Sequence, residues 1–160
     1  MTMASDFHSL RKPFRTAFLV NASLIAGLFL YALIVELIKS QLKPFMGFLP
    51  EFHLQPLRYV FYAAAIAAVL VVRGVARSLT RPFSGEDMAG FGGRLSRGAI
   101  VTAALAELPA VFGLALFFLT GSSRDFYSLL LVSLILEFIY FPRFKVWQDL
   151  VKETFPQEKL

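Results

Sequence analysis

The feature that most constrains this chain is a long apolar stretch, Gly98–Thr120, which contains one ionisable side chain. The stretch has 23 residues, and Glu107 lies near its middle. About 20 mostly apolar residues are enough for a helix to cross a bilayer. A charge at that depth costs about 2.5–3.5 kcal/mol on insertion scales, so a carboxyl group there indicates a functional site. Pro109 follows two residues later, and it predicts a helix kink because it frees the carbonyl of Leu105.

The composition is that of a membrane protein. The 160 residues are 57% hydrophobic and 17% charged, against about 45–50% and 25% in soluble domains. The chain has no cysteine, and its two histidines, His8 and His53, are far apart. We therefore expect no metal site, no cofactor and no enzymatic activity. The net charge of +5 indicates contact with anionic lipid rather than nucleic acid.

The apolar runs predict an all-α, polytopic membrane protein with four transmembrane helices in two antiparallel hairpins. The predicted helices are residues 16–38, 57–75, 98–120 and 126–141, within a transmembrane domain of residues 16–144. A polar cytoplasmic arm, residues 1–15, precedes this domain, and an amphipathic cytoplasmic tail, residues 142–160, follows it.

Two connections have unusual compositions. Residues 41–56 contain three prolines and several aromatic side chains, which favours a segment in the membrane interface, with a lid over a lateral opening as the alternative. Residues 76–97 form the longest polar connection and include Gly90–Gly93. We expect a flexible turn there, because a phosphate-binding loop would need a preceding strand and a Gly-Lys-Ser/Thr ending.

Small residues mark the helix faces that are expected to pack closely against neighbouring helices. The expected packing residues are Ala63, Ala64, Ala67, Ala68, Ala103, Ala110 and Gly113. A second set is expected at the lipid headgroups or the membrane interface: Arg73, Arg77, Arg143, Lys145 and Trp147. For Arg73, contact with a buried carboxyl group is the alternative. The tail around Trp147 fits a partner subunit as well as a membrane surface.

The basic residues predict the orientation. With the N-terminus inside, 12 of the 16 Lys and Arg residues lie on the inner side. The positive-inside rule then predicts a multi-pass protein of the cell inner membrane with both termini cytoplasmic.

Three carboxyl groups lie in the predicted helices at different depths. Glu36 is near the outer end of its helix, Glu107 is near the middle, and Glu137 is near the inner end. Because burial favours the uncharged form of a carboxyl group, Glu107 could load and release a proton, with Glu137 as the relay to the cytoplasm. A structural hydrogen bond, for example to the carbonyl freed by Pro109, and contact with a cofactor or quinone held by a partner are the alternatives.

One segment resembles a known family. The sequence Arg97-Gly98, followed by Ala104-Leu105-Ala106-Glu107-Leu108-Pro109-Ala110-Val111-Phe112-Gly113-Leu114, is similar to the second helix of the rotary ATP synthase c subunit (the proteolipid). The resemblance covers residues 97–120 and, more weakly, 60–120. It implies that Glu107 matches the ion-carrying carboxylate of that family. The ending Phe141-Pro142-Arg143 with Trp147 is similar to that of uncharacterised four-helix bacterial membrane proteins.

Two functions follow from these patterns. The favoured one is a small accessory or assembly subunit of a larger inner-membrane complex, plausibly bioenergetic, whose partners are membrane lipids and other membrane-protein subunits. The alternative is a proton- or cation-conducting subunit that uses Glu107 and Glu137. Either function is compatible with a homo-oligomer of this chain.

Overall fold

The computed structural model describes the backbone of residues 3–49, 54–79 and 88–154, and the side chains of residues 10–49, 55–78 and 90–154. The described residues form helices and connections, with no strand. The six helices are α1 (Met3–Gln41), α2 (Leu54–Leu79), α3 (Met88–Ala106), α4 (Leu108–Thr120), α5 (Ser123–Tyr140) and α6 (Phe144–Thr154). The chain is therefore all-α, as predicted.

Three stretches are long and apolar enough to cross a membrane: Leu10–Gln41, Gln55–Ser78 and Gly90–Thr120. The third joins α3 and α4, which are separated only by Glu107. These stretches correspond to the first three predicted transmembrane helices. The fourth predicted helix exists as α5, but it is not one of these stretches, and it carries Arg124, Asp125 and Glu137.

Two segments expected outside the helices are helical. α1 begins at Met3, so most of the expected arm is a continuation of the first helix, and α3 begins at Met88, so Gly90–Gly93 is not a turn. The cause is the close packing of α1 on α3. A Cβ atom at Gly92 would lie 2.8 Å from Cδ2 of Leu10, so glycine permits the contact instead of breaking the helix.

The joined helices α3 and α4 form the centre of the bundle. α1 packs mainly on α3, α2 packs on α3 and α4, and α5 packs along α4 as an antiparallel neighbour. The described parts of α1 and α2 make little contact with each other, so the first predicted hairpin does not pack as a pair. Gly113 allows the tight α4–α5 contact, because a Cβ atom there would lie 3.0 Å from Cβ of Leu129.

The two ends of the bundle differ. We call the end that carries the beginnings of α1 and α3 together with α6 the terminal side. A buried apolar cluster joins these three helices there, and its members are Leu10, Ala17, Phe91, Leu95, Trp147 and Val151. Arg143, Lys145 and Lys152 are exposed on this side. The part of the expected tail at residues 155–160 lies outside the described residues.

We call the opposite end the loop side. The described part of the first connection, residues 42–49, packs on the turn between α4 and α5. The backbone N–H groups of Phe48 and Leu49 each donate to α4 carbonyls at 3.0 Å. Gly47 and Gly121 have φ values of +79° and +72°. A Cβ atom on Gly47 would lie 2.6 Å from the backbone N of Gly121. Only glycine fits both positions, since the left-handed conformation and the close approach each exclude a side chain.

Candidate functional site

The helix break at Glu107 is the structural centre of the candidate site. Pro109 lacks the N–H group that would continue the α-helical pattern. The chain instead turns at Glu107, whose carbonyl accepts from the N–H groups of Ala110 at 3.0 Å and Val111 at 3.2 Å. The hydroxyl group of Ser133 stabilises this turn from α5. It accepts from the Ala110 N–H at 2.8 Å and donates to the Glu107 carbonyl at 3.3 Å.

The carboxyl group of Glu107 is bound from α1. The hydroxyl of Tyr31 donates to Oε1 of Glu107 at 2.6 Å. Gly27, one turn earlier in α1, faces the same oxygen, since a Cβ atom there would lie in ordinary contact with it at 3.7 Å. Glu107 thus has a hydrogen bond to a neighbouring helix, the alternative given above, but its partner is a side chain of α1 rather than the carbonyl freed by Pro109.

Glu137 has very different surroundings. Its side chain is fully buried, with 0% of its surface exposed. Neither of its carboxyl oxygens has a hydrogen-bond partner within the part of the chain that the structure describes. It lies one turn after Ser133 in α5, and the Ser133 hydroxyl bonds the backbone carbonyl of Glu107. The sequence predicts Glu137 near the inner end of its helix, and the structure shows in addition that its side chain is enclosed.

Asn21 is a third buried polar group on the same part of the bundle. Its Nδ2 atom donates to the Ala17 carbonyl at 2.8 Å, but its Oδ1 atom finds no donor among the described residues. Asn21 precedes Gly27 by six residues in α1, about 9 Å along the axis, and Glu137 follows Ser133 by about 6 Å along α5. Asn21 and Glu137 are therefore both displaced from Glu107 toward the terminal side.

The two carboxyl groups, which we call the carboxyl pair, differ in their hydrogen bonding. Glu107 has a hydroxyl partner, whereas Glu137 has none among the described residues. A buried carboxylate without a donor is strongly disfavoured, so Glu137 is expected to hold a proton. A proton held on one buried acid can be passed to a neighbouring acid. No group of three or more His, Cys, Asp and Glu residues that could hold a metal ion is found in the described ranges.

Polar contacts at the loop side attach α1 and α2 to α5. Glu36 pairs with Lys39 at 2.8 Å and accepts from the Tyr127 hydroxyl at 2.5 Å. Asp125 pairs with Arg58 at 2.8 Å and accepts from the Tyr62 hydroxyl at 3.1 Å. Between these contacts and the carboxyl pair lies a buried apolar cluster made of Leu28, Val35, Ala110, Phe117, Phe126 and Leu130.

The remaining predicted residues divide by burial. Ala68, Ala103, Ala110 and Gly113 are buried, and Ala64 is partly buried. Ala63 and Ala67 are exposed, because α2 turns Ala65, Ala68 and Val72 inward instead. The face of α2 that packs against the other helices is thus rotated about the helix axis relative to the expected face.

The residues expected at the membrane surface also divide. Arg73, Arg77, Arg143 and Lys145 are exposed on the terminal side. Trp147 is only 5% exposed and makes an edge contact with the ring of Phe14 at 5.4 Å. It therefore packs inside the chain rather than on its surface, because α6 folds back against α1 and α3.

Sequence reasoning missed Tyr31, Asn21 and Ser133. A signal was present for the two residues of α1, since Asn21 and Tyr31 bring polar groups into a mostly apolar run. Ser133 precedes Glu137 by one helical turn, a spacing that puts both on one face of the helix.

Comparisons with protein-family models, with curated proteins and with solved structures find no match for this chain.

Proposed function

We propose that this chain is a four-span inner-membrane protein that binds and passes protons through Glu137 and Glu107. The observation that carries the proposal is the full burial of Glu137, whose two carboxyl oxygens have no hydrogen-bond donor among the described residues. The second acid, Glu107, has a donor in the Tyr31 hydroxyl. An arrangement this costly in stability is typical of proton-transfer sites in membranes. The resemblance of residues 97–120 to the c subunit helix supports the same role for Glu107.

The packing of α5 supports a fourth membrane span. Its 18 residues extend about 27 Å, close to the thickness of a bilayer core of about 30 Å. Its charges need not face lipid, since Arg124 and Asp125 lie in the first turn, where Asp125 pairs with Arg58. Glu137 is buried among the helices. Exposed apolar side chains such as Leu131 and Phe138 fit a lipid-facing surface.

The distribution of basic residues supports cytoplasmic termini. Arg11, Arg15, Arg73, Arg77 and Arg97 are exposed toward the terminal side, as the positive-inside rule requires of the cytoplasmic face. The 39 residues of α1 extend about 58 Å, which is longer than a membrane span. The terminal-side part of α1 is thus expected to project into the cytoplasm together with α6.

A proton fits this site better than a metal ion. Calcium takes six to eight oxygen ligands and magnesium takes six. The described residues bring two carboxyl groups and the Asn21 amide oxygen to this part of the bundle, with the Tyr31 hydroxyl already bound to Glu107. A proton needs no such shell of ligands, because one carboxyl group can hold it and the next can receive it.

Carbodiimide labelling tests the proposal, because the reagent attacks the protonated acid. In the membrane-embedded protein we expect an adduct on Glu137 that forms more slowly as the pH rises, detected by mass spectrometry of the α5 peptide. Glu36, which is exposed and paired with Lys39, is the internal control and is expected to react little. Glu137→Gln should remove the α5 adduct only. No Glu137 adduct at any pH, or a rate independent of pH, would contradict the proposal.

An accessory subunit is the second candidate, and the exposed faces of α1 and α2 favour it. Only 17% of the most apolar window of each helix is buried within the chain, so both present wide apolar surfaces to lipid or to other subunits. Isolation of the protein from native membranes in mild detergent distinguishes surfaces covered by lipid from surfaces covered by other subunits. A stoichiometric set of other subunits, together with wild-type activity of Glu137→Gln in that complex, would favour the accessory function over proton transfer.

A further inference from the structure

A cavity lies at the terminal side of the bundle. Its volume is about 240 Å³, and it is bounded by α3, the end of α5, the following linker and α6, with Ala76 of α2 at one edge. Most of its walls are apolar. The polar side chains that line it include Thr102 of α3, Tyr140 of α5 and Arg143 of the linker. We call it the terminal-side cavity.

The cavity approaches the carboxyl pair through α5. Tyr140 lines the cavity and follows Glu137 by three residues, so the two lie on neighbouring positions of one helix face, about 4.5 Å apart along the axis. The ring of Tyr140 also packs on the buried cluster of Val72, Ala106 and Leu136. Tyr140 therefore contacts both the cavity and the packed interior formed by α2, α3 and α5.

On the loop side of the carboxyl pair, apolar side chains are packed together. The apolar cluster that includes Leu28, Val35 and Phe117 fills the interior between Glu107 and the polar contacts of Glu36. Phe45 of the connection at residues 42–49 covers this cluster with its ring 5.1 Å from that of Phe117. The carboxyl pair thus has a cavity on one side and packed side chains on the other.

We propose that the terminal-side cavity is the route by which protons from the terminal side reach Glu137, with the Tyr140 ring as the barrier between cavity and carboxyl group. The inference rests on the proposed function and adds the direction of access. In this conformation the carboxyl pair exchanges protons with the terminal side and not with the loop side. Release toward the loop side requires the apolar cluster to separate, as expected of a protein that alternates its access.

The absence of cysteine from the sequence allows a direct test. Thr102→Cys places a thiol in the cavity wall, and Val101→Cys places one on the adjacent exposed position, which faces lipid. In membrane vesicles of both orientations, a membrane-impermeant cationic methanethiosulfonate should modify Thr102→Cys about tenfold faster than Val101→Cys, and only from the terminal side. Ala99→Cys, also in the wall, replaces Thr102→Cys if that variant does not fold.

The second readout is the rate at which the Glu137 carboxyl proton exchanges with D₂O, followed by its infrared carbonyl band, which Glu137→Gln should remove. Modification of Thr102→Cys should slow this exchange about tenfold. Modification of Lys145→Cys, exposed on α6 and outside the cavity, should leave it unchanged. If the Glu137 carbonyl band is present but its exchange rate is unaltered after modification of Thr102→Cys, the access route alone is overturned. Equal labelling of Thr102→Cys and Val101→Cys would have the same meaning. If the wild type shows no Glu137 carbonyl band, the proposed function is overturned as well.

Discussion

Glu137 and Glu107 are the same residue type on neighbouring helices, yet their surroundings differ in one decisive respect. Glu107 accepts a hydrogen bond from Tyr31, whereas neither carboxyl oxygen of Glu137 has a partner among the described residues. In the proposed function this difference makes Glu137 the main proton carrier. The sequence favours Glu107 instead, because its depth in the apolar stretch is easy to recognise.

Tyr31→Phe tests the role of the hydroxyl donor. Losing a hydrogen bond costs about 0.5–1.5 kcal/mol, so Tyr31→Phe should lower the free energy of unfolding by about that amount, measured by thermal unfolding in detergent. Tyr59→Phe is the control, since Tyr59 is 73% exposed. Equal melting temperatures for the two variants would show that the Tyr31 hydroxyl does not hold α1 against Glu107.

Part of the site was predictable at the residue scale. Glu107, Glu137 and Pro109 stand out in apolar runs, because charged residues and proline are costly there. Tyr31 and Ser133 were not predictable as partners of Glu107. A nearly uniform apolar helix has no strong periodicity, so the sequence does not determine which face of α1 or α5 turns toward the centre.

At the scale of the elements, the close approach of α4 and α5 depends on Gly113. A Cβ atom there would lie 3.0 Å from Cβ of Leu129 and 3.1 Å from the Phe126 carbonyl oxygen. The contact holds Ser133 against the break at Glu107. Helix packing of this closeness is reached only with small residues at the contact.

Gly113→Ala should lower the free energy of unfolding by about 1–3 kcal/mol, because backbone atoms of α5 must move away. Gly74→Ala is the matched control. A Cβ atom at Gly74 meets nothing within 4 Å, and alanine in a helix should stabilise it by about 0.5–1 kcal/mol. Thermal unfolding in the same detergent measures both. Equal melting temperatures for the two variants would contradict the described contact.

The helices themselves were largely predictable, but their lengths were not. Hydropathy identifies only the apolar part of a helix, so the sequence predicted the first helix from residue 16 and the third from residue 98, whereas α1 begins at Met3 and α3 at Met88. The additional turns are stabilised by contact between α1, α3 and α6. Glycine in α3 has the appearance of a turn signal in the sequence, although at Gly92 it serves that contact.

At the scale of the whole molecule, α6 joins the terminal ends of α1 and α3. Trp147 and Val151 lie in one cluster with Leu10, Phe91 and Leu95. This cluster forms one wall of the terminal-side cavity, since Trp147 and Leu95 line it. The tail that the sequence predicts to lie on a membrane or a partner thus has a structural role within the chain.

Trp147→Ala should destabilise the folded protein by about 3–5 kcal/mol, because it removes a large buried side chain. Val146→Ala, at a neighbouring position that is 49% exposed, should change stability by about 0.5 kcal/mol or less. Thermal unfolding in detergent distinguishes the two variants. A small effect for Trp147→Ala would mean that α6 does not pack on α1 and α3.

The central claim is tested most directly by proton flux into lipid vesicles that contain the purified protein and a trapped pH-sensitive dye. With a pH gradient and a potassium diffusion potential applied, we expect the wild type to admit protons faster than empty vesicles. Glu137→Gln and Glu107→Gln should reduce the rate to that of empty vesicles, and Glu36→Gln should retain it. Wild-type flux in both Glu137→Gln and Glu107→Gln, or a wild-type rate equal to that of empty vesicles, would contradict the account.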